Sequence, residues 1–265
     1  MKQSATEPFI LPFLVALIGL ALLLDRFLFF PNIDLLSLIP LLLVITGLAL
    51  LFQGDFELDN VTRSFGITRG SVQSATIELN SGEIDVAVGA LDRADRLIAG
   101  QYARSARPLL HVDEARTHAY LRLDRANTYW SNTAKWEVEL ALNLPWQPII
   151  STNLGNLALN LHGLIVDGGV VATGMGDIEL VCPRETLHPL TIMSQMGTIQ
   201  VVCPTGYNVE VSIEGTIFSR VRADQHGFEQ IHALKYRSLH PTAAAPVVQL
   251  IVKTTFGDVY LARAS

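Results

Sequence analysis

Hydrophobic and polar positions follow two different rules along this chain, and the change falls near Gln53. Before it, apolar residues run almost unbroken. Residues 9–24 form a first run closed by Asp25 and Arg26, and residues 35–52 form a second run with one acid-free, base-free stretch throughout. At about 1.5 Å per residue the first run spans roughly 24 Å, a little short of the ~30 Å hydrocarbon core. Phe27, Leu28, Phe29 and Phe30 lengthen it once Asp25 and Arg26 pair or reach the interface. Pro31 and Asn32 between the runs are turn chemistry. The pattern predicts a transmembrane hairpin over residues 1–54, with antiparallel helices at about 9–30 and 35–53. A cleaved signal peptide is disfavoured, because Lys2 is the sole basic residue before the run and no small-x-small cleavage site separates the two runs.

After a linker at 55–70 the period becomes two, the signature of strands. Ile77, Leu79, Ile84, Val86 and Val88 alternate with Glu78, Glu83, Asp85 and Ala87; Trp136, Val138, Leu140, Leu142 and Leu144 alternate with Glu137, Glu139, Ala141 and Asn143. No sustained helical period follows residue 60, so residues 71–265 read as an all-β domain. Within it one phrase recurs: glycine, a polar residue, then apolar-x-apolar. It stands at Gly82, Gly155, Gly176, Gly197 and Gly257, with a degenerate copy at Gly215. The central three copies are spaced by 21 residues. A strand-only repeat of about that length is what a β-solenoid needs, each rung stacking on the last, with glycine at a sharp corner. The expected fold is therefore a β-solenoid-like stack, a single-stranded β-helix with roughly 21-residue rungs; a hairpin meander or sandwich is the alternative, and the regular step favours the stack. Cys182 and Cys203 each lie six residues after a corner glycine and just before a proline. In a registered stack both thiols face the core about 4.8 Å apart. Parallel stacked side chains rarely offer the disulfide dihedral, so buried thiols are expected before a bridge, and a metal site after either.

Composition adjusts this picture only slightly. The 49% hydrophobic content is unevenly spread, densest before Gln53. Of the net charge of −6, residues 1–59 carry −4, from Lys2 and Arg26 against Glu7, Asp25, Asp34, Asp55, Glu57 and Asp59, which leaves −2 for the rest. Neither part is basic and no Lys/Arg cluster occurs, so nucleic acid is not expected as a partner. The seven histidines are scattered, and no His-Glu-x-x-His, Gly-x-Ser-x-Gly or phosphate-loop pattern occurs. His111 with Asp113 and Glu114 is the densest cluster, and it reads as a solvated stretch. Asp177 and Asp258 follow corner glycines without the dense Gly/Asp repeat of calcium-binding β-rolls. Trp136 fits an inward strand face, Trp146 between Pro145 and Pro148 marks a turn and fits either core or surface anchor, and Tyr129 and Trp130 are candidate loop anchors. No catalytic residue, cofactor or metal is expected, and the chain is expected not to be an enzyme.

Two stretches resemble one family. Residues 18–25, a short link, then residues 39–51 with Pro40 opening the second helix look like the LiaI/LiaF-like transmembrane region, although Ile39 stands where that family often has Trp. Gly19-Leu20-Ala21-Leu22-Leu23-Leu24 is echoed by Gly47-Leu48-Ala49-Leu50-Leu51-Phe52, and Gly19 and Gly47 would let helix backbones approach closely. Residues 154–161 and 172–183 resemble the LiaF-type C-terminal domain, also called toastrack, and related adhesin-like β-repeat domains. The resemblance implies a bacterial accessory protein of the cell membrane that modulates an envelope-stress sensor kinase by protein contact. The alternative is an outward-facing adhesin-like or self-associating scaffold, and a homo-oligomer fits either. Lys2 before the hairpin and Arg63 and Arg69 after it, against Arg26 in the link, favour a cytoplasmic β domain.

Overall fold

The computed structural model describes residues 62–103, 106–115, 117–125, 135–239 and 245–264, together with Val44. The expected hairpin, with Gly19 and Gly47, and the loop residues Tyr129 and Trp130 lie outside the described residues. No helix among the described residues is long and apolar enough to cross a membrane. The chain divides into two compact units, of which the second comprises Asp59–Thr128 and Thr133–Ser265; the following concerns that unit.

It is all-β. In chain order its strands are β1 (Thr62–Thr68), β2 (Ser74–Gly82), β3 (Asp85–Leu91), β4 (Arg96–Ala103), β5 (Pro108–Ala115), β6 (His118–Arg125), β7 (Lys135–Ala141), β8 (Pro145–Leu154) and β9 (Leu157–Asn160). There follow β10 (Ile165–Met175), β11 (Ile178–Val181), β12 (Glu185–Met196), β13 (Ile199–Cys203), β14 (Asn208–Gly215), β15 (Ser219–Ala223), β16 (Phe228–His232), β17 (Lys235–Ser238) and β18 (Val247–Arg263). Strand β1 falls in the segment expected as linker. Its pairing with β4 explains this: the strand sits at the rim of a sheet with most side chains exposed, so its sequence carries little apolar alternation.

Each rung runs through one sheet, turns a corner and continues in a second. The pairs β2/β3, β6/β7, β8/β9, β10/β11, β12/β13 and β14/β15 are such rungs, and β18 makes both halves of a rung by itself. The first sheet contains β2, β6, β8, β10, β12, β14 and the start of β18, all parallel to their rung neighbours. The second sheet contains β3, β7, β9, β11, β13, β15 and the end of β18, again parallel. Antiparallel strands finish the stack: β5 on β6 and β1–β4 on β7 at one end, β17 and β16 beyond β14 at the other. A parallel stack would otherwise end in open edges that template pairing with another chain.

The rungs do not stack in the order in which the chain makes them. Rung β2/β3 comes first in sequence, yet it lies between β6/β7 and β8/β9. Rung β18 comes last, yet it lies between β12/β13 and β14/β15. The stack is thus built with one exchange at each end.

Alternation places one residue in two inside, and parallel register turns those residues into columns. Leu123, Leu79, Ile150, Val171, Ile192, Val252 and Ile213 make one buried column through the first sheet. Trp136, Val86, Leu157, Ile178, Ile199 and Val259 make a facing one in the second. Each such side chain gains about 1.5–3 kcal/mol from leaving water. Trp146 is fully buried as well; its Nε1–H donates to the Ala141 carbonyl at 2.9 Å, and Trp136 Nε1–H donates to that of Ala106 at 2.6 Å.

Candidate functional site

The corner glycines Gly155, Gly176, Gly197 and Gly257 stand one above another. All have positive φ, between 140° and 155°. A Cβ on Gly176 would lie 2.1 Å from the Gly155 carbonyl oxygen; on Gly197, 2.0 Å from that of Gly176; on Gly257, 2.0 Å from that of Gly197. Gly257 therefore occupies the place after Gly197 in the column, although Gly215 is the next corner in sequence. Gly82 turns the neighbouring rung with φ of 65°, and the Ile84 carbonyl two residues on meets Gly155.

Two polar ladders brace this column. Side-chain oxygens of Asp85, Asn156 and Asp177 accept the backbone N–H of Asn156, Asp177 and Thr198 respectively, at 2.7–2.9 Å. Asp177 thus holds the next rung. Inside the corner, Thr152 donates to the Gly82 carbonyl (2.9 Å), Thr173 to that of Gly155 (3.1 Å) and Ser194 to that of Gly176 (3.5 Å). All three are buried, as is Thr254 at the equivalent position. Sequence reading passed over these hydroxyls; their signal is a Ser or Thr three residues before each of four corner glycines.

Cys182 and Cys203 are both buried and unbridged, in adjacent rungs whose preceding residues Val181 and Val202 are paired. Hydrogen bonding with Cys203, together with complete burial, holds the Cys182 thiol well above the ordinary cysteine range. A thiol so held favours the protonated form over the thiolate, which is the nucleophilic form.

Among the described residues the histidines do not converge. His118 bonds Ser74 and Thr76 on the neighbouring strand, His188 meets Asp167 at 2.6 Å, and His162 stacks on Tyr207. His111 and Asp113 lie exposed on the outermost strand β5. Among the described residues no three His, Cys, Asp or Glu side chains are grouped to hold a metal.

Two surface features remain. The first is a depression of about 400 Å³ on the outer face of the second sheet. Ala87 and Gly89 of β3 and Ala158 of β9 floor it; Glu137 and Glu139 of β7 wall one side and Glu179 of β11 the other. The second is an apolar ridge along the corners. Leu154, Met175, Met196 and Phe256 each directly precede a corner glycine, are in register, and are 45–51% exposed. Phe218 continues the line by stacking on Phe256 at 5.1 Å, and Ile217 beside it is 91% exposed.

No protein-family model matches the chain, and no curated protein matches it. Among solved structures, a putative cell adhesion protein from Clostridium sporogenes shares the fold at a TM-score of 0.65 and 14% identity, over 77% of this chain and 99% of that one. A putative adhesin from Bacteroides fragilis aligns at a TM-score of 0.29 and 12% identity, over 76% of this chain and 96% of that one. Another from Parabacteroides merdae aligns at 0.22 and 10%, over 78% and 98%. The likeness of fold rests on the first.

Proposed function

We propose that this chain is a non-enzymatic, membrane-anchored accessory protein whose β domain docks a protein partner in the depression on its second sheet. The observation that carries this is Gly89. A glycine inside a strand weakens it and marks a place where something approaches the backbone closely. Gly89 has an ordinary φ, and a Cβ there would meet nothing within 4 Å. Neither backbone geometry nor packing requires its smallness; with Ala87 and Ala158 it keeps the floor of the depression low. Carboxylates on both walls suit an extended segment carrying Lys or Arg.

In the finer reading the chain is LiaF-like. The apolar hairpin contacts partner helices in the cell membrane, the β domain lies in the cytoplasm, and the partner is a sensor kinase of the envelope-stress response. The resemblance of both stretches supports this, as do the basic flanks of the hairpin. A second reading, an outward-facing adhesin-like domain, draws on the fold shared with the Clostridium sporogenes protein. Protease added to intact cells separates the two, since cleavage within the β domain from outside overturns the cytoplasmic placement.

The depression itself is tested by a photo-crosslinking residue at Ala158 in the full chain in native membranes. A crosslink to a membrane protein is expected, and Gly89→Arg should abolish it while leaving thermal unfolding unchanged. A crosslink that survives Gly89→Arg, or none at all, refutes the docking site.

A further inference from the structure

The corner ridge has no part in the docking depression, and its position along the stack identifies what it meets. Thr62, the first residue of β1, pairs with Ala103, and Arg63 pairs with Tyr102, which pairs with Trp136. Trp136 is level with Val86, Leu157, Ile178, Ile199 and Val259. Three of these, Leu157, Ile178 and Ile199, stand two residues after a corner glycine, as does Val259. The chain therefore reaches the stack at the same edge that carries the ridge. Four strand spacings, about 19 Å, separate β1 from β9, beside which Leu154 begins the ridge.

The segment between the apolar run and β1 is short. Residues 54–61 reach at most about 26–29 Å when fully extended. With residues 35–53 in a bilayer, Thr62 is held within that distance of the lipid surface, and the ridge continues from it along the same edge of the stack. The ridge side chains are those of an interfacial anchor: Leu, two Met, two Phe and Ile, projecting singly from a rigid backbone. The shallow groove beside them, formed by Asn153, Gly174, Gln195 and Thr255 with the ridge itself, contains no charged side chain. Within this groove no charge has to be desolvated as the ridge beds in.

We propose that the corner ridge of Leu154, Met175, Met196, Phe256, Phe218 and Ile217 beds into the surface of the membrane that anchors the chain, so that the stack lies with its corner edge on the bilayer. The proposal rests on the reading of residues 9–53 as a membrane hairpin. It holds for either side of the membrane, because the ridge meets whichever leaflet the β domain faces. It also gives the depression a fixed aspect, since the outer face of the second sheet then stands upright from the membrane, open to a partner in the same bilayer.

The test uses the full chain in phosphatidylcholine vesicles with brominated acyl chains. An environment-sensitive dye is placed at Met196→Cys, at Leu154→Cys as a second ridge position, and at Asp92→Cys at the opposite end of β3 as control. The native Cys182 and Cys203 are buried and do not compete for label. The chain should float with the vesicles, and bromine should quench the ridge dyes about two-fold or more beyond the control. Flotation with equal quenching at all three positions overturns the ridge contact and leaves the anchor standing. Failure to float overturns the anchor reading and the ridge contact with it. A disulfide-linked dimer of the unlabelled Met196→Cys chain under a mild thiol oxidant, with no quenching of the labelled one, overturns the lipid contact in favour of a second copy.

Discussion

Replacement of Gly176 by alanine tests the central claim about the fold, that the corner glycines form a column closed to side chains. The new Cβ would stand 2.1 Å from the Gly155 carbonyl oxygen and 2.6 Å from its carbonyl carbon, both backbone atoms with no freedom to swing aside. The residue would also have to hold a φ of 146°, which costs a non-glycine residue roughly 1–3 kcal/mol. Relief requires the rungs to part. That weakens the Gly155 N–H to Met175 O bond (2.9 Å) and the Gly176 N–H to Met196 O bond (3.0 Å), each contributing about 0.5–1.5 kcal/mol. The expected loss is about 3–5 kcal/mol, a melting shift on the order of 10 °C for a unit of this size. The assay is urea and thermal unfolding of the full chain in detergent, followed by circular dichroism in the strand band. Gly89→Ala is the matched control: it meets nothing, and restricting the unfolded chain should make it neutral or more stable by about 0.4–1 kcal/mol. If Gly176→Ala loses less than about 1 kcal/mol, or if the two variants behave alike, the column does not exclude side chains and the reasoning fails.

Two further outcomes follow from the same geometry. Thr173→Val keeps shape but removes the hydroxyl that donates to the Gly155 carbonyl, and should cost about 0.5–1.5 kcal/mol by urea unfolding; an unchanged midpoint would show that the buried hydroxyls do not brace the corner. Glu210 is held below the ordinary carboxylate range by its hydrogen bond from Arg237, with Lys235 adding to the effect. A carboxylate lowered in the folded state stabilises above its unfolded value of 4.5 and loses that contribution as pH falls through the folded one. The melting difference between the wild type and Arg237→Gln should therefore narrow below pH 4.5, and a difference independent of pH would refute the pairing.

Local chemistry along the chain was enough to read the rung. Alternation of Ile178 and Leu180 with polar neighbours, and of Ile199 and Val201 likewise, specifies strands buried on one face, because the strand period is two whatever the partner. Glycine before each such pair marks the corner, because few other residues take the backbone there. Cys182 and Cys203 could be aligned from the 21-residue step for the same reason. Strand β1 was missed, since a rim strand with exposed side chains leaves no alternation to see. The ridge was missed because the turn at each corner breaks the alternation. An apolar residue directly before the glycine, such as Met175 or Met196, gives no sign from its spacing alone of which way it points.

What the tertiary structure alone decided is the order of the rungs. Every rung presents nearly the same apolar columns and corner, so the pattern of any one fits beside any other, and sequence neighbours are the natural guess. Yet Gly257 sits on Gly197 in place of Gly215, and β2/β3 is inserted ahead of β8/β9. Pairing between rungs is a contact between residues far apart in the chain, settled by how whole columns pack. The sequence by itself determined the unit of construction; only the packed stack decided which unit stands next to which, and so which edge carries both the start of β1 and the apolar ridge.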